Sequence, residues 1–140
     1  MKRLLVIIAS LVLAAICVFS IRYGLARHTR RKLEAARRVG YEQILASYSN
    51  EVRLGTNRKQ VEEDFRAKGT IFRQICRIQA STTVSDLIKI GEEDVPWFCS
   101  EHNIYVAFQF SPTDSHAALE SDDSDELTKI ILHPMLEGCL

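Results

Sequence analysis

The chain has 140 residues, of which 46% are hydrophobic and 26% charged, with 18 basic side chains against 18 acidic ones. This is a globular composition and excludes collagen-like or disordered chains. The zero net charge conceals a split: residues 1–80 carry 16 Lys and Arg against 6 Asp and Glu, and residues 81–140 carry 2 against 12. Two readings of that split stand side by side. The halves neutralise each other within the fold, or the basic part lies against anionic lipid headgroups.

Leu4–Ile21 contains no charge and comes almost at once after Met1. A helix needs about 20 apolar residues to cross a bilayer, with a lower limit near 17, whereas the apolar region of a cleaved signal runs about 7–15. The stretch therefore predicts an N-terminal transmembrane helix, a single-pass anchor over residues 1–26, ahead of one domain at 27–140. A cleavage site at Gly24-Leu25-Ala26 is the alternative, with Arg22 interrupting the approach to it. A lipoprotein signal at Cys17 is the third, opposed by the bulky Ile16 before the cysteine.

Orientation is contested. Arg22, Arg27, Arg30, Arg31 and Lys32 follow the apolar stretch, with Arg37 and Arg38 beyond. Counted near a span, such residues point the domain at the cytoplasm. An opening Met-Lys-Arg followed by an apolar run is instead how export signals begin. The extracytoplasmic side of a bacterial membrane is the preferred reading, because these arginines also belong to the domain's own first helix. Arg22, Arg27, Arg30, Arg31 and Lys32 are the candidate lipid-headgroup residues.

His28 to about Tyr48 is rich in Lys, Arg, Glu, Ala and Leu, and its apolar residues recur at helical spacing, so it predicts a helix ending near Ser49-Asn50. Gly55 follows in a turn, and Asn57 is placed to cap a helix over Arg58–Lys68, with Gln60 three residues on. Val61 and Phe65 form that helix's buried edge, and Gly69 stops it. From Thr70 the period changes to two. Strands are predicted at Thr70–Ile78, Asp86–Ile90, Ile104–Phe110 and Leu127–His133, the last bounded by Pro134. In Ile104–Phe110, the residues Ile104, Val106, Phe108 and Phe110 face one way and Tyr105, Ala107 and Gln109 the other. Helices followed by strands predict an α+β domain: two helices packed on one face of a four-stranded antiparallel sheet.

The run Val52-Arg53-Leu54-Gly55-Thr56-Asn57-Arg58-Lys59-Gln60-Val61, with Phe65 and Gly69 after it, resembles the signature that opens the second helix of BamE-like (SmpA/OmlA) proteins. Their fold, shared with β-lactamase inhibitor protein, has two helices on an antiparallel sheet. The resemblance implies a non-catalytic envelope module that binds protein through its sheet. It is specific over the short run just quoted and consistent in element order over the rest of the domain. The chain departs from that family in lacking an acceptable lipobox at Cys17 and in its segment Pro96-Trp97-Phe98-Cys99-Ser100-Glu101.

Candidate chemistry is sparse. Cys99-Ser100-Glu101-His102 holds a Cys-x-x-His pair, but zinc needs three or four ligands and a nucleophilic cysteine needs a converging base and an orienting group. A disulfide or buried thiol ahead of a polar turn is the plainer reading. In an oxidising compartment Cys76 and Cys99 are the expected disulfide, with Cys139 free; in a reducing one all three are thiols. Asp122–Glu126 lacks the glycine and closing glutamate of a calcium loop, and reads as a solvated acidic loop. No Gly-rich phosphate motif is present, and the basic run lacks the interleaved aromatics of a nucleic-acid surface. The expectation is a protein-binding module with no enzymatic activity, cofactor, metal, small-molecule substrate or nucleic-acid partner. Trp97 and Phe98 after Pro96 read first as core closing the end of the sheet and second as an exposed anchor for a partner; in the binding reading they are the candidate contacts, with Tyr105 and Gln109 on the less apolar strand face. A cytoplasmic-facing regulatory domain on the same tether is the alternative, and a small thiol- or metal-dependent enzyme a remote one.

Overall fold

A computed structural model of the protein describes residues 2–75, 84–111 and 122–140, without the side chains of residues 2–12, 14 and 15. The elements in chain order are α1 (Lys2–Glu51), α2 (Arg58–Ala67), β1 (Arg73–Ile75), β2 (Val84–Glu92), β3 (Glu101–Ser111) and β4 (Glu126–Glu137). The chain divides into two compact units, Met1–Val39 and Gly40–Leu140.

The first unit is the N-terminal part of α1. The helix that the periodicity predicts from His28 begins at Lys2 and does not break at residue 26. No proline interrupts it, and its exposed stretch after Ile21 is built largely of residues with high helix propensity. Among the described residues no helix is long and apolar enough to cross a membrane.

The second unit is α+β, with the two predicted helices and a four-stranded antiparallel sheet in the order β1-β2-β3-β4. Asn57 caps α2 in extended conformation, and its side chain accepts the Gln60 N–H at 2.9 Å. Gly55 and Gly69 take positive φ of 83° and 69°. Val61 and Phe65, one turn apart on α2, are fully buried against Ile88, Val106, Phe108 and Phe110 of the sheet. Leu45 and Tyr48 from the end of α1 close the same cluster, with the Tyr48 and Phe108 rings edge to face at 5.5 Å. Burying several large side chains here, each worth about 1.5–3 kcal/mol, is the main reason the helices hold onto the sheet.

Four expectations are corrected. Of the strand predicted at Thr70–Ile78, the described residues form only Arg73–Ile75, and the run from Cys76 onward lies outside them. β2 is longer than Asp86–Ile90, because a bulge between Lys89 and Gly91 carries the pairing on to Glu92. β4 runs through Pro134 to Glu137 rather than ending at His133. An edge strand tolerates proline, since its outer N–H groups have no ladder partner. The acidic run is not a wholly solvated loop, because Asp125 is 2% exposed.

That acidic turn docks on the start of α2. The first amides of a helix have no intrahelical acceptor. Here the Asp125 carbonyl accepts the Arg58 N–H at 2.8 Å and the Asp123 carbonyl accepts the Lys59 N–H at 3.1 Å. Gly55 N–H to Leu127 O and Leu127 N–H to Thr56 O extend the contact as a short ladder. The negative charge of the turn also sits at the positive end of the helix dipole.

Candidate protein-binding loop

The connection from β2 to β3, residues 93–100, has the sequence Glu-Asp-Val-Pro-Trp-Phe-Cys-Ser. Pro96 fixes its own φ and keeps Val95 extended. The Cys99 N–H then returns to the Pro96 carbonyl at 3.0 Å, making a tight turn with Trp97 and Phe98 at its tip. Their rings meet edge to face at 5.8 Å. Trp97 is 90% exposed, and Phe98 and Val95 beside it in sequence, Leu136 on β4 and the C-terminal Leu140 are exposed as well.

The loop is braced on every side. The Glu93 N–H donates to the His102 carbonyl at 2.9 Å, and His102 Nδ1 lies 3.2 Å from the Asp94 carbonyl. Ser100 donates from both its backbone N–H and its hydroxyl to the Glu137 carbonyl, each at 3.1 Å. The Leu140 N–H donates to the Phe98 carbonyl at 2.9 Å. Tyr41 reaches from α1 to donate to the Glu92 carbonyl at 3.1 Å. Gly91 makes room for that ring: a Cβ there would stand 2.6 Å from Tyr41 Cε1.

A disulfide between Cys99 and Cys139 completes the bracing. The expected pairing of Cys76 with Cys99 is therefore corrected: the partner is Cys139, and Cys76 lies outside the described residues. The cause is sheet register. Glu101 pairs with Glu137, so the residues two steps outside that pair, Cys99 and Cys139, stand opposite one another. The sequence held a signal for it. Cys99 precedes Ile104 by five residues and Cys139 follows His133 by six, so a hairpin of the two predicted strands brings the cysteines within one residue of facing each other.

With its sulfur in the disulfide, Cys99 supplies neither a nucleophile nor a thiolate ligand beside His102. Among the described residues no group of three or more His, Cys, Asp or Glu side chains is arranged to hold a metal.

The remaining candidate contacts are placed elsewhere. Tyr105 does not line an open surface: it is 4% exposed, in a second cluster with Leu87 and Ala107 on the sheet face away from Val106 and Phe108. The Arg73 guanidinium lies 4.8 Å from its ring centroid. Burial raises the Tyr105 pKa. Its hydroxyl donates to Glu137 at 3.4 Å, and Asn103 Nδ2 donates to the same carboxylate at 2.9 Å. An ion pair and hydrogen bond from Arg73 are the main reason the Glu137 carboxyl titrates below its usual range. Gln109 is partly buried, and its carbonyl accepts the Thr128 hydroxyl at 3.1 Å. Arg22, Arg27, Arg30, Arg31 and Lys32 are exposed on α1 in the first unit.

A second polar group was not foreseen. Arg58, the first residue of α2, is buried and bridges Asp86 of β2 at 2.6 Å and Glu62 at 2.8 Å. Burial raises Asp86 to about 6, against the pull of Arg58. The spacing did carry a hint: Arg58 precedes Val61 and Phe65 on one helix face, and Asp86 shares the parity of Ile88.

No family model matches the chain, no curated protein matches it, and no solved structure matches it.

Proposed function

We propose that the protein is a non-catalytic, membrane-anchored protein-binding module on the extracytoplasmic side of a bacterial membrane, similar in kind to BamE-like envelope assembly proteins. The observation that carries the binding reading is the Trp97-Phe98 tip. Among the described residues the indole, 90% exposed on a disulfide-braced loop, meets the neighbouring Phe98 ring but lies outside both hydrophobic clusters. Rigid aromatics bury large area at low entropic cost, and bracing the loop in advance lowers the cost of ordering it on binding. The contact residues are Trp97 and Phe98, with Val95 beside them in sequence.

The anchor rests on the charge-free Leu4–Ile21 stretch, which lies within the unbroken helix α1 and whose described residues Ile16, Val18, Phe19 and Ile21 are exposed. A helix of that length extends about 27 Å, close to a hydrocarbon core. The extracytoplasmic side rests on the Cys99–Cys139 disulfide, since such bonds persist in oxidising compartments. Arg22 to Lys32 then lie at the membrane surface, within reach of anionic headgroups. The BamE-like kinship rests on residues 52–69 and on the element order.

A photo-crosslinking amino acid at position 97 of the full chain, in intact cells, tests the binding reading. A discrete protein adduct is expected from position 97 and not from Lys59 on α2. Equal labelling at both positions, or none at 97, overturns it. Free thiols at Cys99 and Cys139 after acid quenching of intact cells overturn the extracytoplasmic placement.

A further inference from the structure

We infer that the outer edge of β4 pairs antiparallel with β4 of a second copy, about a two-fold axis at Leu132, and that Leu136 of each copy fills a groove on the other. The inference concerns a different edge from the Trp97 loop and does not depend on that loop's binding a partner.

β4 ends the sheet order β1-β2-β3-β4, so β3 is the one strand beside it among the described residues. Its backbone groups alternate between β3 and the outside. Which residues point outward is fixed at several places. The Leu127 carbonyl accepts the Gly55 N–H at 2.8 Å and its own N–H donates to Thr56 at 2.9 Å, so Leu127 faces out. The register shift between Gln109 and Phe110 leaves Thr128 without a counterpart on β3 and moves the alternation on by one residue. Pro134, opposite Ile104, has no N–H to give to β3. The Glu137 carbonyl accepts from Ser100 and so faces in. Ile130, Leu132 and Pro134 therefore turn their backbone groups outward. Residues 55 and 56 already use the first part of this edge as a ladder. The part from Ile130 to Pro134 continues it, and an unpaired edge of this kind takes an extended strand.

The side chains say which strand. Ser49, Val52 and Leu54 with Thr128, Lys129 and Ile130 line a groove of about 220 Å³ at one end of the edge. At the other end Leu136 is exposed. By alternation it shares the face of Ile130 and Leu132, which pack toward the cluster under the helices. Thr128 and Leu136 lie four residues to either side of Leu132. An antiparallel pair centred on Leu132 thus sets each Leu136 opposite the other copy's Thr128, at that copy's groove. Exposed Leu54 at the groove is covered in the same step.

The backbone and the charges agree with this register. Each Leu132 exchanges N–H and carbonyl with its counterpart, and each Ile130 N–H meets the other copy's Pro134 carbonyl. The charged residues of β4 are Glu126, Lys129 and Glu137, and none of them stands opposite a like charge. Lys129 lies diagonal to the other copy's Glu137, which keeps its own Arg73. Centring the pair one residue earlier would set Met135 against Leu127, whose outer groups Gly55 and Thr56 occupy. The chain's zero net charge adds no long-range repulsion between copies. Such a contact is isologous and closes as a dimer.

The test uses the full chain in neutral detergent micelles, with sedimentation across a concentration series. The wild type is expected to dimerise. Leu136→Glu drives a carboxylate into the groove and should associate at least about tenfold more weakly. Leu54→Glu, on the other side of the same contact, should do likewise. Both residues are exposed in the single copy, so circular dichroism and melting temperature should not change. The register is read by trapping. Lys129 and the other copy's Met135 form a non-hydrogen-bonded pair, in which Cα atoms lie about 4.5 Å apart. In a Cys17→Ser/Cys76→Ser background, a mixture of Lys129→Cys and Met135→Cys chains should form a 129–135 disulfide between copies on mild oxidation. Mass spectrometry of the digest locates it, and neither variant alone should give it.

The inference is overturned if the wild type stays monomeric, or if the mixed cysteine variants dimerise without the 129–135 link. It is also overturned if both glutamate variants associate as the wild type does, which would assign self-association to α1. A monomeric wild type whose position 97 still crosslinks to a protein in cells overturns the dimer and leaves the binding reading of the Trp97 loop standing.

Discussion

The two ends of β4 are fastened in opposite ways. At its start, near Glu126, charge is buried: Asp125 docks on α2, and Arg58 lies between Glu62 and Asp86 in a region with almost no solvent. At its finish, near Glu137, the acids are at the surface, apolar rings are exposed, and a covalent bond replaces packing. Burying charge is costly unless it is paired, so the first end uses its polar groups on its own elements. Exposed aromatics gain little from the fold that displays them, so the second end is the one on which the proposed binding reading rests. The comparison separates a buried polar group that fastens one end of the strand from exposed apolar rings held up by a covalent bond at the other.

The sharpest break of the comparison is Cys139→Ser. Opening a cross-link between residues 40 apart is expected to lower stability by about 4 kcal/mol on loop entropy, read by urea unfolding. Native α-helix and β-sheet signals should persist while Trp97 anisotropy falls, since the other end does not depend on the bond.

At the buried end, Arg58→Met leaves Asp86 and Glu62 without their shared cation and is expected to cost about 3 kcal/mol at pH 7. The loss should shrink on acidification, as Asp86 takes up a proton. In the wild type, Asp86 stands at about 6 against an ordinary 3.8. Between those values the folded state binds more protons than the unfolded one, so this group lowers stability as pH rises from about 4 to 6. The full effect is about 3 kcal/mol, and Asp86→Asn should flatten that part of the pH–stability curve.

Smaller effects follow at single turns. Gly138 has φ of 61°, and a Cβ there would fall on Ser100 Oγ. Gly138→Ala is expected to cost about 1–2 kcal/mol and to lower Trp97 anisotropy in parallel. Asn57→Ala removes the cap of α2 and is expected to cost about 1 kcal/mol without affecting Trp97, as thermal unfolding and acrylamide quenching would show.

Much of the fold was legible because its signals are local. Capping by Asn57, the stop at Gly69, and the alternation of Ile104, Val106, Phe108 and Phe110 depend on neighbours in the chain, and each appears where its pattern places it. Trp97 and Phe98 stood in a polar context after Pro96, where core closing the sheet end was the plainer reading, and the structure instead leaves both exposed. Tyr105 was misjudged as surface because alternation reports which side of a strand a residue is on, not what covers that side.

By itself, then, the sequence determined the element types, the helix caps, the inward face of β3, the charge split and the charge-free N-terminal stretch. Those follow from backbone propensity and short-range periodicity. Tertiary structure alone decided the partner of Cys99, the passage of β4 through Pro134, the burial of Arg58 with Asp86, and the docking of Asp125 on α2. Each depends on strand register or on contacts between residues far apart in the chain, where a shift of one position sends a side chain to the other face.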